Sequence, residues 1–554
     1  MTAPYDLLHE RVGSHARDQP NADAFIVLTY RGTERSATAL SYSALHRAAL
    51  AYARLLLGMS APGDRVVIMC PHGPAYAVAF LACLNSGRIA VPLFPVARPV
   101  DTERAAAIIA HARPTVALTA PGDSRTAATI GDIRAVAIDS LADPPTGARP
   151  PHIDPASTAY LQYTSGSTRT PAGVEVTHAN LTAALRQLRS ALPATTVAPI
   201  VSWLPFFHDM GLIFGLSLPL YSGMPAVTMA PEEFAKRPAR WLRACSDYRA
   251  GATATPNFGL ALAVSHTSAQ EREGLDLSAL RVVLNGAEPI RAPTLTAFTD
   301  TYAAHGFRHG AHTPGYGLAE ATLPVTIADQ DAEPTTQVFD RRALGAGRVV
   351  VTGDDRAGTR LVGCGVPVGQ RVAIVDPDHG TEVEPGRVGE IWVAGPNVGA
   401  GYFDNPAVSA ATFDQPLSST TGGWLRTGDL GFRHEGQLYI AGRRKDLIVV
   451  DGRNHYPADI EATAAACAPE LRPGRIAAFG HDDGSSEQLV LVGETRTTGV
   501  RDTVIHHRIR AAVAAVHGIV PREIVLTACG RLPLTSSGKI RRSACRDRYA
   551  AGTL

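Results

Sequence analysis

The sequence predicts an α/β fold: a large N-terminal domain of layered α/β sheets plus a small barrel-like section, followed by a small mobile α+β C-terminal domain. Three observations predict it. Short β-branched runs alternate with apolar helical stretches through most of the chain. Closely spaced strands with glycine turns follow Gly365, and a new strand and helix pattern begins at Asp446. We therefore expect domains at residues 1–445 and 446–554.

The first elements form a β-α-β unit. Arg65–Cys70 is a β-rich run, Pro74–Leu84 is an apolar, alanine-rich helical stretch, and Ile89–Leu93 is the next strand. Such a unit belongs to a layered sheet. Further strands of that sheet are predicted at Thr115–Leu118, Ala135–Ile138, Tyr160–Tyr163, Ile200–Trp203 and Arg281–Leu284.

The later part of the chain has shorter elements. The antiparallel or barrel-like section is predicted from Arg371–Val375, Val388–Val393 and Gln437–Ile440. The C-terminal pattern consists of a strand (Leu447–Val450), a helix (Pro457–Cys467), two strands (Arg475–Phe479, Leu489–Glu494) and a helix (Asp502–Val516). The polar spacer Asp331–Gly358, within an insertion at about 331–360, is expected on the surface.

Composition favours small-molecule chemistry. Lysine and arginine number 52 against 51 acidic residues, and a formal net charge of +1 lacks the basic excess that nucleic-acid binding needs. The seven cysteines are scattered and do not have the spacing of a zinc or dithiol site. The first ten residues carry no apolar signal-peptide core, so a cytoplasmic location is expected.

The stretch from Met210 to Ala230 has no charged residue, and its length raises the question of a membrane span. Its interruptions favour a buried helix, turn and strand instead, because each costs backbone hydrogen bonds that lipid cannot replace. These interruptions are Gly211, Gly215, Pro219, Gly223 and Pro225. We predict no membrane span.

A loop of glycine and small hydroxylic residues follows the strand that ends at Tyr163. Backbone N–H groups and hydroxyls in such a loop can surround phosphate oxygens. The residues concerned are Thr164, Ser165, Gly166, Ser167 and Thr168. Taken alone the loop is equally compatible with an ordinary connection, and it lacks the lysine of the common nucleotide-binding loop.

Four further polar clusters follow in a fixed order, and each could be a turn or cap on its own. They are Gly286-Ala287-Glu288, Tyr316-Gly317-Leu318-Ala319-Glu320, Arg426-Thr427-Gly428-Asp429-Leu430 and Thr535-Ser536-Ser537-Gly538-Lys539. All five clusters together are not explained by local structure.

Along essentially its whole length, the chain resembles the adenylate-forming superfamily of acyl-CoA synthetases, adenylation domains and luciferases. It is most similar to the fatty acyl-AMP ligases, which activate a fatty acid with ATP to an acyl-adenylate and release pyrophosphate. The motifs that carry this resemblance are Leu161-Gln162-Tyr163, Trp203-Leu204-Pro205, His208-Asp209-Met210-Gly211, Pro256-Asn257-Phe258 and Gly452-Arg453-Asn454-His455-Tyr456-Pro457.

The resemblance implies roles for the nucleotide-binding residues. The loop Thr164–Thr168 would hold the triphosphate, and Tyr316 would stack on adenine. The adenine slot would be completed by Gly286, Ala287, Glu288, Gly317 and Leu318. Glu320 would bind Mg²⁺ on the phosphates, since this cation normally takes only one or two carboxylates from protein.

The remaining polar residues are assigned in the same way. Asp429 resembles the residue that accepts hydrogen bonds from the ribose hydroxyls, and Arg443 resembles its basic companion. Asp446 matches the superfamily hinge. Lys539 matches the catalytic lysine, which would neutralise charge that builds as the acid attacks the α-phosphate.

The acyl side of the site is less determined by sequence. The resemblance places His208 and Asp209 by the carboxylate end of the acyl site, but a packed, hydrogen-bonded pair explains them equally well. Apolar or small residues there could wall an acyl tunnel or simply belong to the core. They are Trp203, Met210, Gly211 and Phe258.

The loop departs from the superfamily pattern, because Arg169 stands where a glycine is usual and Ala172 where a lysine is usual. We expect Arg169 to supply the missing charge, since a guanidinium can form paired hydrogen bonds with phosphate. A segment around Val338–Leu344 resembles the insertion typical of fatty acyl-AMP ligases, which disfavour coenzyme A. Transfer to an acyl carrier protein of polyketide or non-ribosomal peptide synthesis is therefore expected. The alternatives are an acyl-CoA synthetase and a non-catalytic nucleotide- or acyl-binding module.

Overall fold

The computed structural model describes residues 6–96, 99–138, 150–163, 171–417, 420–450, 452–482, 487–495, 502–535 and 538–554. In chain order the strands are β1 (Asp23–Arg31), β2 (Glu34–Ser41), β3 (Arg65–Met69), β4 (Ile89–Pro92), β5 (Val116–Thr119), β6 (Arg134–Ala137), β7 (Thr158–Tyr163), β8 (Gly173–Thr177), β9 (Ile200–Ser202), β10 (Ala226–Met229), β11 (Ala252–Thr255), β12 (Val282–Asn285), β13 (His312–Leu318), β14 (Leu323–Ile327), β15 (Thr336–Asp340), β16 (Gly358–Val362), β17 (Val366–Pro367), β18 (Arg371–Asp376), β19 (Thr381–Glu382), β20 (Gly389–Ala394), β21 (Gly401–Tyr402), β22 (Gln415–Leu417), β23 (Thr420–His434), β24 (Gln437–Arg443), β25 (Ile448–Val450), β26 (Arg453–His455), β27 (Leu471–Asp482), β28 (Glu487–Thr495) and β29 (Glu523–Ala528).

The helices lie mainly between these strands. In chain order they are α1 (Leu8–Asp18), α2 (Tyr42–Leu57), α3 (Pro74–Ser86), α4 (Pro99–Ala112), α5 (Ser124–Ile130), α6 (His178–Ala191), α7 (Leu218–Ser222), α8 (Pro231–Lys236), α9 (Ala239–Asp247), α10 (Asn257–Ser265), α11 (Ala269–Arg272), α12 (Ala292–Tyr302), α13 (Arg341–Gly345), α14 (Pro406–Thr412), α15 (Pro457–Cys467), α16 (Asp502–His517) and α17 (Arg542–Ala550). A π-helix spans Met210–Ser217, and short 3-10 turns lie at Pro193–Thr196, Ala303–His305, His309–Ala311, Ala319–Ala321 and Arg444–Asp446.

Two large sheets share one hydrophobic core in the first part of the chain. One has nine strands in the order β17-β14-β13-β12-β11-β9-β10-β1-β2, and the other has seven in the order β21-β8-β7-β4-β3-β5-β6. The predicted β-α-β unit is confirmed, because β3 and β4 pair in parallel, with Arg65 opposite Ile89, and α3 connects them. The layered α/β prediction is therefore confirmed.

The later elements form smaller sheets. The section after Gly365 is antiparallel as predicted, with strand order β19-β18-β20-β23-β22 and β24 paired to β23. The C-terminal residues form a three-stranded sheet, β27-β28-β29, and bury an apolar cluster of their own between this sheet and helices such as α15 and α16. The division at 445 and 446 remains a prediction.

The uncharged stretch from Met210 to Ala230 is buried, as predicted. It forms the π-helix, α7, a left-handed turn at Gly223 and β10. Within the π-helix, a Cβ at Gly211 would lie 2.1 Å from the Pro205 carbonyl oxygen, so only glycine fits against that backbone. Among the described residues, no helix is long and apolar enough to cross a membrane.

The insertion is more ordered and more buried than a surface spacer. β15 pairs with β16, and α13 follows β15, with the Asp340 side chain accepting a hydrogen bond from the Ala343 N–H at 2.7 Å. Phe339 is 0% exposed and packs against Phe432 and Tyr439. The expectation that 331–358 is a surface segment is therefore wrong in part, because the consecutive residues Val338 and Phe339 of β15 are both buried.

Candidate active site

Two of the polar clusters lie on neighbouring strands of the nine-stranded sheet. β12 ends at Asn285, directly before Gly286-Ala287-Glu288, and it pairs in parallel with β13, which carries Tyr316. The carboxyl ends of parallel strands meet at one edge of a sheet, which is where ligands bind in open α/β sheets. The sequence clusters at 286–288 and 316–320 are therefore brought together at this edge.

The backbone is tightly packed at this edge. A Cβ at Gly317 would lie 1.7 Å from the Leu323 carbonyl oxygen, and one at Gly286 would lie 2.9 Å from the Gly315 carbonyl oxygen. Ala287 adopts a left-handed φ of 66°, a conformation that L residues rarely hold without a compensating environment. Leu318 is buried in β13.

Asn285 was not identified from the sequence. It is 0% exposed, and neither amide atom has a hydrogen-bond partner among the described residues. Because buried polar atoms are normally paired, an orphaned amide next to 286–288 fits a site that takes a polar ligand such as a purine.

Asp429 is the centre of a three-residue hydrogen-bond network. Arg443 Nε donates to its Oδ1 at 2.8 Å, and the Tyr316 hydroxyl donates to its Oδ2, also at 2.8 Å. The strand register explains the first contact, since Asp429 on β23 lies opposite Arg443 on β24. The Asp429 carboxylate raises the pKa of Arg443, and burial together with Asp429 raises the pKa of Tyr316 well above its usual value.

A buried glutamate holds the turn before Asp429. Glu390 is 2% exposed; it accepts hydrogen bonds from Arg426 Nη2 and from the Gly428 N–H, both at 3.0 Å. These contacts fix the backbone of the 426–430 cluster. Glu390 precedes that cluster by more than thirty residues, so no local sequence signal identifies it.

Glu320 lies in the 3-10 turn directly after β13. The Tyr402 hydroxyl, from β21, donates to its Oε1 at 2.8 Å. Burial raises the pKa of Glu320, and the hydrogen bond from Tyr402 and the charge of Arg443 oppose that rise. A shielded carboxylate suits a hard cation. The described residues contain no group of three metal-ligating side chains, so such a cation would depend on few protein ligands.

Lys539 is held in a tight turn of the C-terminal residues. Its N–H donates to Thr535 Oγ1 at 3.0 Å, and its carbonyl oxygen accepts from the Thr535 N–H at 2.7 Å. Burial lowers the pKa of Lys539, while the charges of Asp209 and Glu288 oppose that fall. The charges of Asp209 and Glu288, which lie outside the C-terminal residues, therefore affect the pKa of Lys539.

His208 and Asp209 form a hydrogen-bonded pair, which was one of the two explanations that the sequence allowed. The His208 Nδ1 and Asp209 Oδ1 atoms are 2.7 Å apart, and the Met210 N–H also donates to Asp209 Oδ1 at 2.7 Å. Burial by itself would raise the pKa of Asp209, but the charge and hydrogen bond of His208 hold it below its usual value. Met210 itself is buried in the core.

An aromatic group includes Trp203, which directly follows β9 and precedes His208 by five residues. Trp203 stacks on Phe234 with ring centroids 3.8 Å apart, and Phe258 meets Trp203 edge to face at 6.0 Å. The N–H of Phe258, the second residue of α10, donates to Glu288 Oε1 at 2.6 Å. The aromatic group is thereby connected to the 286–288 cluster.

The predicted phosphate loop lies outside the described residues, which include neither Thr164, Ser165, Gly166, Ser167 and Thr168 nor Arg169. Its preceding residue is described. The Tyr163 hydroxyl is hydrogen-bonded to Nδ1 of His111 on α4 at 2.8 Å. A Cβ at Gly173, the first residue of β8, would lie 2.9 Å from the Tyr163 ring. The Tyr163 side chain is therefore held by His111 at its hydroxyl and by Gly173 against its ring.

At the start of the C-terminal residues, Asp446 accepts from Arg542 Nη1 at 3.3 Å. Arg542 also makes a paired contact with Glu461, with Nε and Nη2 each 2.7 Å from a carboxylate oxygen. Arg444 pairs instead with exposed Asp378 at 2.6 Å, which is a surface contact. The assignment of Asp446 as a hinge remains a prediction.

Comparison with known proteins determines the family. A protein-family model described as AMP-binding enzyme matches residues 13–403. The chain belongs to this family. A 4-hydroxyphenylalkanoate adenylyltransferase of Mycobacterium marinum is 40% identical over 98% of this chain and 90% of its own length. The long-chain-fatty-acid–AMP ligase FadD26 of Mycobacterium marinum is 39% identical over 96% of this chain and 95% of its own length.

A solved structure agrees with these relatives. The fatty acyl-adenylate ligase from L. pneumophila, in complex with acyl adenylate and pyrophosphate, superposes with a TM-score of 0.77 at 34% identity. The match covers 98% of this chain and 96% of that one. The resemblance to fatty acyl-AMP ligases that the sequence motifs indicated is therefore confirmed.

Proposed function

We propose that this chain is a fatty acyl-AMP ligase, which joins the carboxylate of a fatty acid or related acid to the AMP part of ATP. One observation carries the proposal. Glu320, Asp429 and Lys539, which are far apart in sequence, lie close enough for the charge of Asp429 to affect the pKa of both other groups. A cation, a shielded carboxylate and a hydrogen-bonded carboxylate in one site suit phosphoryl chemistry.

The reaction is a displacement at phosphorus. A carboxylate oxygen of the acid forms a bond to the α-phosphorus, and the bond from that phosphorus to the oxygen bridging the β-phosphate breaks. Pyrophosphate leaves with the electron pair. Negative charge on the phosphate oxygens grows in the transition state, and the Lys539 ammonium is the group of this chain that stabilises it.

The nucleotide is held by residues from the large sheets. Asp429 accepts hydrogen bonds from the ribose hydroxyls, exchanging its contact with Tyr316 for them, while Arg443 Nε keeps its hydrogen bond to Oδ1. Adenine lies against Tyr316 and the 286–288 backbone, where the unpaired Asn285 amide lies close by. Glu320 would hold Mg²⁺, which when bound neutralises charge on the phosphates.

The acyl group is assigned to the aromatic side of the site. Trp203, Phe234 and Phe258 pack together as an apolar group, and Phe258 contacts Glu288 of the 286–288 cluster. The relatives named above act on long-chain fatty acids or on 4-hydroxyphenylalkanoates, both of which join an apolar chain to a carboxylate. We infer that the substrate of this chain belongs to the same chemical class.

The acyl group is then transferred to the phosphopantetheine thiol of an acyl carrier protein in polyketide, non-ribosomal peptide or lipid biosynthesis. What supports this step is the insertion, which packs against C-terminal residues: Thr359 Oγ1 donates to Asp459 Oδ2 at 2.9 Å. An acyl-CoA synthetase remains the alternative. Formation of acyl-CoA would distinguish it from a ligase that transfers the acyl group to a carrier protein.

The test is fatty-acid-dependent exchange of labelled pyrophosphate into ATP by the purified full chain. We expect exchange and acyl-AMP with fatty acids of a length series or with 4-hydroxyphenylalkanoates, and none without acid. Coenzyme A and a holo carrier protein are then added in parallel. Absence of acid-dependent exchange across both acid series contradicts the proposal, and efficient acyl-CoA formation would favour the acyl-CoA synthetase.

A further inference from the structure

The turn that carries Lys539 is held from outside by an arginine that has no part in the chemistry described so far. Arg475 lies on β27, and its Nη1 atom donates a hydrogen bond to the carbonyl oxygen of Gly538 at 2.9 Å. Gly538 directly precedes Lys539 in the chain. The arginine therefore contacts the peptide group to which the lysine belongs, although the two residues are distant in sequence.

The peptide group between Gly538 and Lys539 is hydrogen-bonded at both ends. Its oxygen accepts from Arg475, and its N–H donates to Thr535 Oγ1 at 3.0 Å. The next carbonyl, that of Lys539 itself, accepts from the Thr535 N–H at 2.7 Å. Because peptide groups are rigid planes, holding the groups on both sides of the Lys539 Cα fixes the direction in which its side chain leaves the backbone. Two of these hydrogen bonds form within the turn, and the one from Arg475 connects the turn to the sheet.

The conformation of Gly538 explains why a contact from outside matters. Its φ is 82°, in the left-handed region, which glycine adopts about as readily as negative φ. The turn by itself therefore retains backbone freedom directly before Lys539. A hydrogen bond to the Gly538 carbonyl oxygen restricts that freedom.

A bulge in β27 explains how Arg475 reaches the turn. The register of β27 against β28 shifts between Leu471 and Ile476, so that residues 472–475 lie opposite Glu494 alone. Bulges of this kind redirect side chains away from the regular alternation of a strand. Arg475 is the last residue of this bulge.

The same bulge also holds the loop that leads to the turn. Glu494 is 0% exposed, and its Oε1 atom accepts hydrogen bonds from the Gly530 N–H at 2.8 Å and the Leu532 N–H at 3.0 Å. Arg472 Nη1 donates to its Oε2 atom at 2.7 Å. The chain is thus fixed before the turn through Glu494 and at the end of the turn through Arg475.

We propose that Arg475 is a positioning residue for the adenylation reaction: it holds the Gly538 carbonyl so that the Lys539 ammonium is directed at the charge that develops on the phosphates. This inference rests on the proposed function. Catalytic groups have to be held within about 0.5 Å of their productive position, so a residue that fixes their backbone affects turnover without touching the substrate. Its loss should lower turnover and not substrate binding, because the ATP contacts come from other residues.

The first test is steady-state kinetics of acyl-AMP formation by the full chain. Arg475→Met removes the donor and keeps most of the apolar stem; kcat should fall about ten- to a hundredfold, as expected for one hydrogen bond from a charged donor. KM for ATP and for the fatty acid should stay within about twofold of wild type. Arg475→Lys keeps a charged donor and should lose less. Arg510→Met is the matched control, since it removes another arginine-to-carbonyl hydrogen bond of the C-terminal residues, to Arg522 at 3.4 Å, and should change none of these constants.

A double variant separates positioning from a general effect on the fold. If Arg475 acts through the lysine, adding Arg475→Met to Lys539→Ala should lower kcat by less than about twofold, because the group to be positioned is already absent. A further fall as large as that of the single variant would overturn the proposal. So would an unchanged kcat, a change confined to KM, or a lower melting temperature with a normal kcat per folded molecule.

Hydrogen exchange at the Lys539 amide, resolved to single residues by fragmentation mass spectrometry, gives a readout that does not need turnover. Exchange should be faster in Arg475→Met than in wild type and Arg510→Met, whereas the Leu532 amide, which Glu494 holds, should exchange as in wild type. Equal exchange at Lys539 in all three chains would contradict the proposal. If the wild-type chain forms no acyl-AMP, the proposed function fails, and the exchange rates alone decide whether Arg475 holds the turn.

Discussion

The environment of Lys539 explains why a lysine in the C-terminal residues can act on chemistry in the large sheets. Burial makes its charge costly, and Asp209 and Glu288 offset part of that cost. A substrate that brings further negative charge would stabilise the Lys539 ammonium in this buried environment. The group is therefore prepared for charge that appears only as the acid attacks phosphorus.

We predict that Lys539→Ala lowers the rate of acyl-AMP formation by about a hundred- to a thousandfold, by analogy with the loss of one donor to a developing oxyanion. ATP binding should persist, because the ribose and adenine contacts come from other residues. Stopped reactions quantified for acyl-AMP, beside calorimetric ATP titration, measure both. Lys236→Ala is the control, since Lys236 forms an exposed pair with Glu233 at 2.9 Å. Near-normal acyl-AMP formation by the Lys539 variant would remove the lysine from the mechanism.

A second prediction concerns the hydroxyl that holds Glu320. Tyr402→Phe removes the donor at 2.8 Å but keeps the ring, which packs on Phe413 with centroids 5.2 Å apart. If Glu320 holds Mg²⁺, loss of this one neutral donor should weaken metal use by about fivefold, corresponding to about 1 kcal/mol. The measurement is acyl-AMP formation against Mg²⁺ concentration at saturating ATP.

The matched control is Tyr439→Phe, because the Tyr439 hydroxyl is buried and has no hydrogen-bond partner among the described residues. That variant should leave the Mg²⁺ dependence unchanged. An identical Mg²⁺ dependence in Tyr402→Phe and wild type would show that Tyr402 does not orient a metal-binding carboxylate.

The sequence motifs identified the charged residues of the candidate site, but not the residues that hydrogen-bond to them or to their backbone. Glu320, Asp429 and Lys539 stand in short clusters with recognisable neighbours. Tyr402 and Glu390 reach the site only through strand pairing across long stretches of chain, so a reading of local sequence does not identify them. The phosphate loop and Arg169 lie outside the described residues and stay predictions.

At the scale of elements, α1, α2 and α6 bring histidines together. His9 on α1 and His178 on α6 have ring centroids 5.7 Å apart, and His46 on α2 and His152 also act on His9. Burial first, then these neighbours, lowers the pKa of His9 to about 3. Burial lowers that of His178 to about 4, against a raising effect of Asp154.

These pKa values predict the pH dependence of stability. Both folded-state values lie below the unfolded value of 6.5, so the unfolded chain binds more protons between about pH 6.5 and 4 and stability falls as pH falls through that window. At pH 5 each histidine should cost on the order of 2 kcal/mol relative to pH 8, and the costs are not additive because the rings interact.

The measurement is the unfolding free energy from urea titrations between pH 8 and pH 5. His9→Gln should make the fall toward acid less steep than in wild type, because one titrating group is removed. His379→Gln is the control, since its side chain is 76% exposed. Parallel curves for wild type and His9→Gln would contradict a buried neutral His9.

Elements were predictable where local chemistry and tertiary packing agree. α15 spans the predicted Pro457–Cys467, because a proline occupies its first position, and Ile460 and Ala464, four residues apart, form its buried face. The π-helix at Met210–Ser217 was expected only as a helix. Its wider hydrogen bonding, and the close approach of Gly211 to the Pro205 backbone within it, are not evident from residue periodicity.

At the scale of the whole molecule, the insertion joins the large sheets to the C-terminal residues. Thr359 Oγ1 donates to Asp459 Oδ2 at 2.9 Å, and Arg341 Nη1 donates to the Val516 carbonyl oxygen at 3.4 Å. Burial lowers the pKa of the neighbouring His517 to about 3, and the Arg341 charge contributes. Burial raises the pKa of Asp459. These hydrogen bonds connect the insertion to the C-terminal residues.

The last prediction is that weakening these contacts permits some acyl-CoA formation without reducing adenylation. If Asp446 is a hinge, as the sequence predicts, transfer to coenzyme A requires the C-terminal residues to reorient, and a polar connection to the insertion opposes that movement. Removing the whole stretch 340–358 is a coarse test, because β15 would lose its pairing and the buried Phe339 would be exposed. The combined substitution Arg341→Ala and Thr359→Val removes the side-chain contacts and keeps the strands.

Full-length and substituted chains are incubated with ATP, fatty acid and either coenzyme A or a holo carrier protein, and both thioesters are measured. The substituted chain should keep acyl-AMP formation within about twofold and gain acyl-CoA. The lost contacts involve the Arg341 guanidinium and the Asp459 carboxyl group, each is worth about 1.5–3 kcal/mol, and only movement depends on them. The carrier-protein thioester should change little, because docking of the carrier positions its own thiol. Arg356→Ala, an exposed change in the same insertion, is the control. If coenzyme A is already used efficiently by the unaltered chain, the connection does not restrict transfer, and the acyl-CoA synthetase alternative accounts for the second half-reaction.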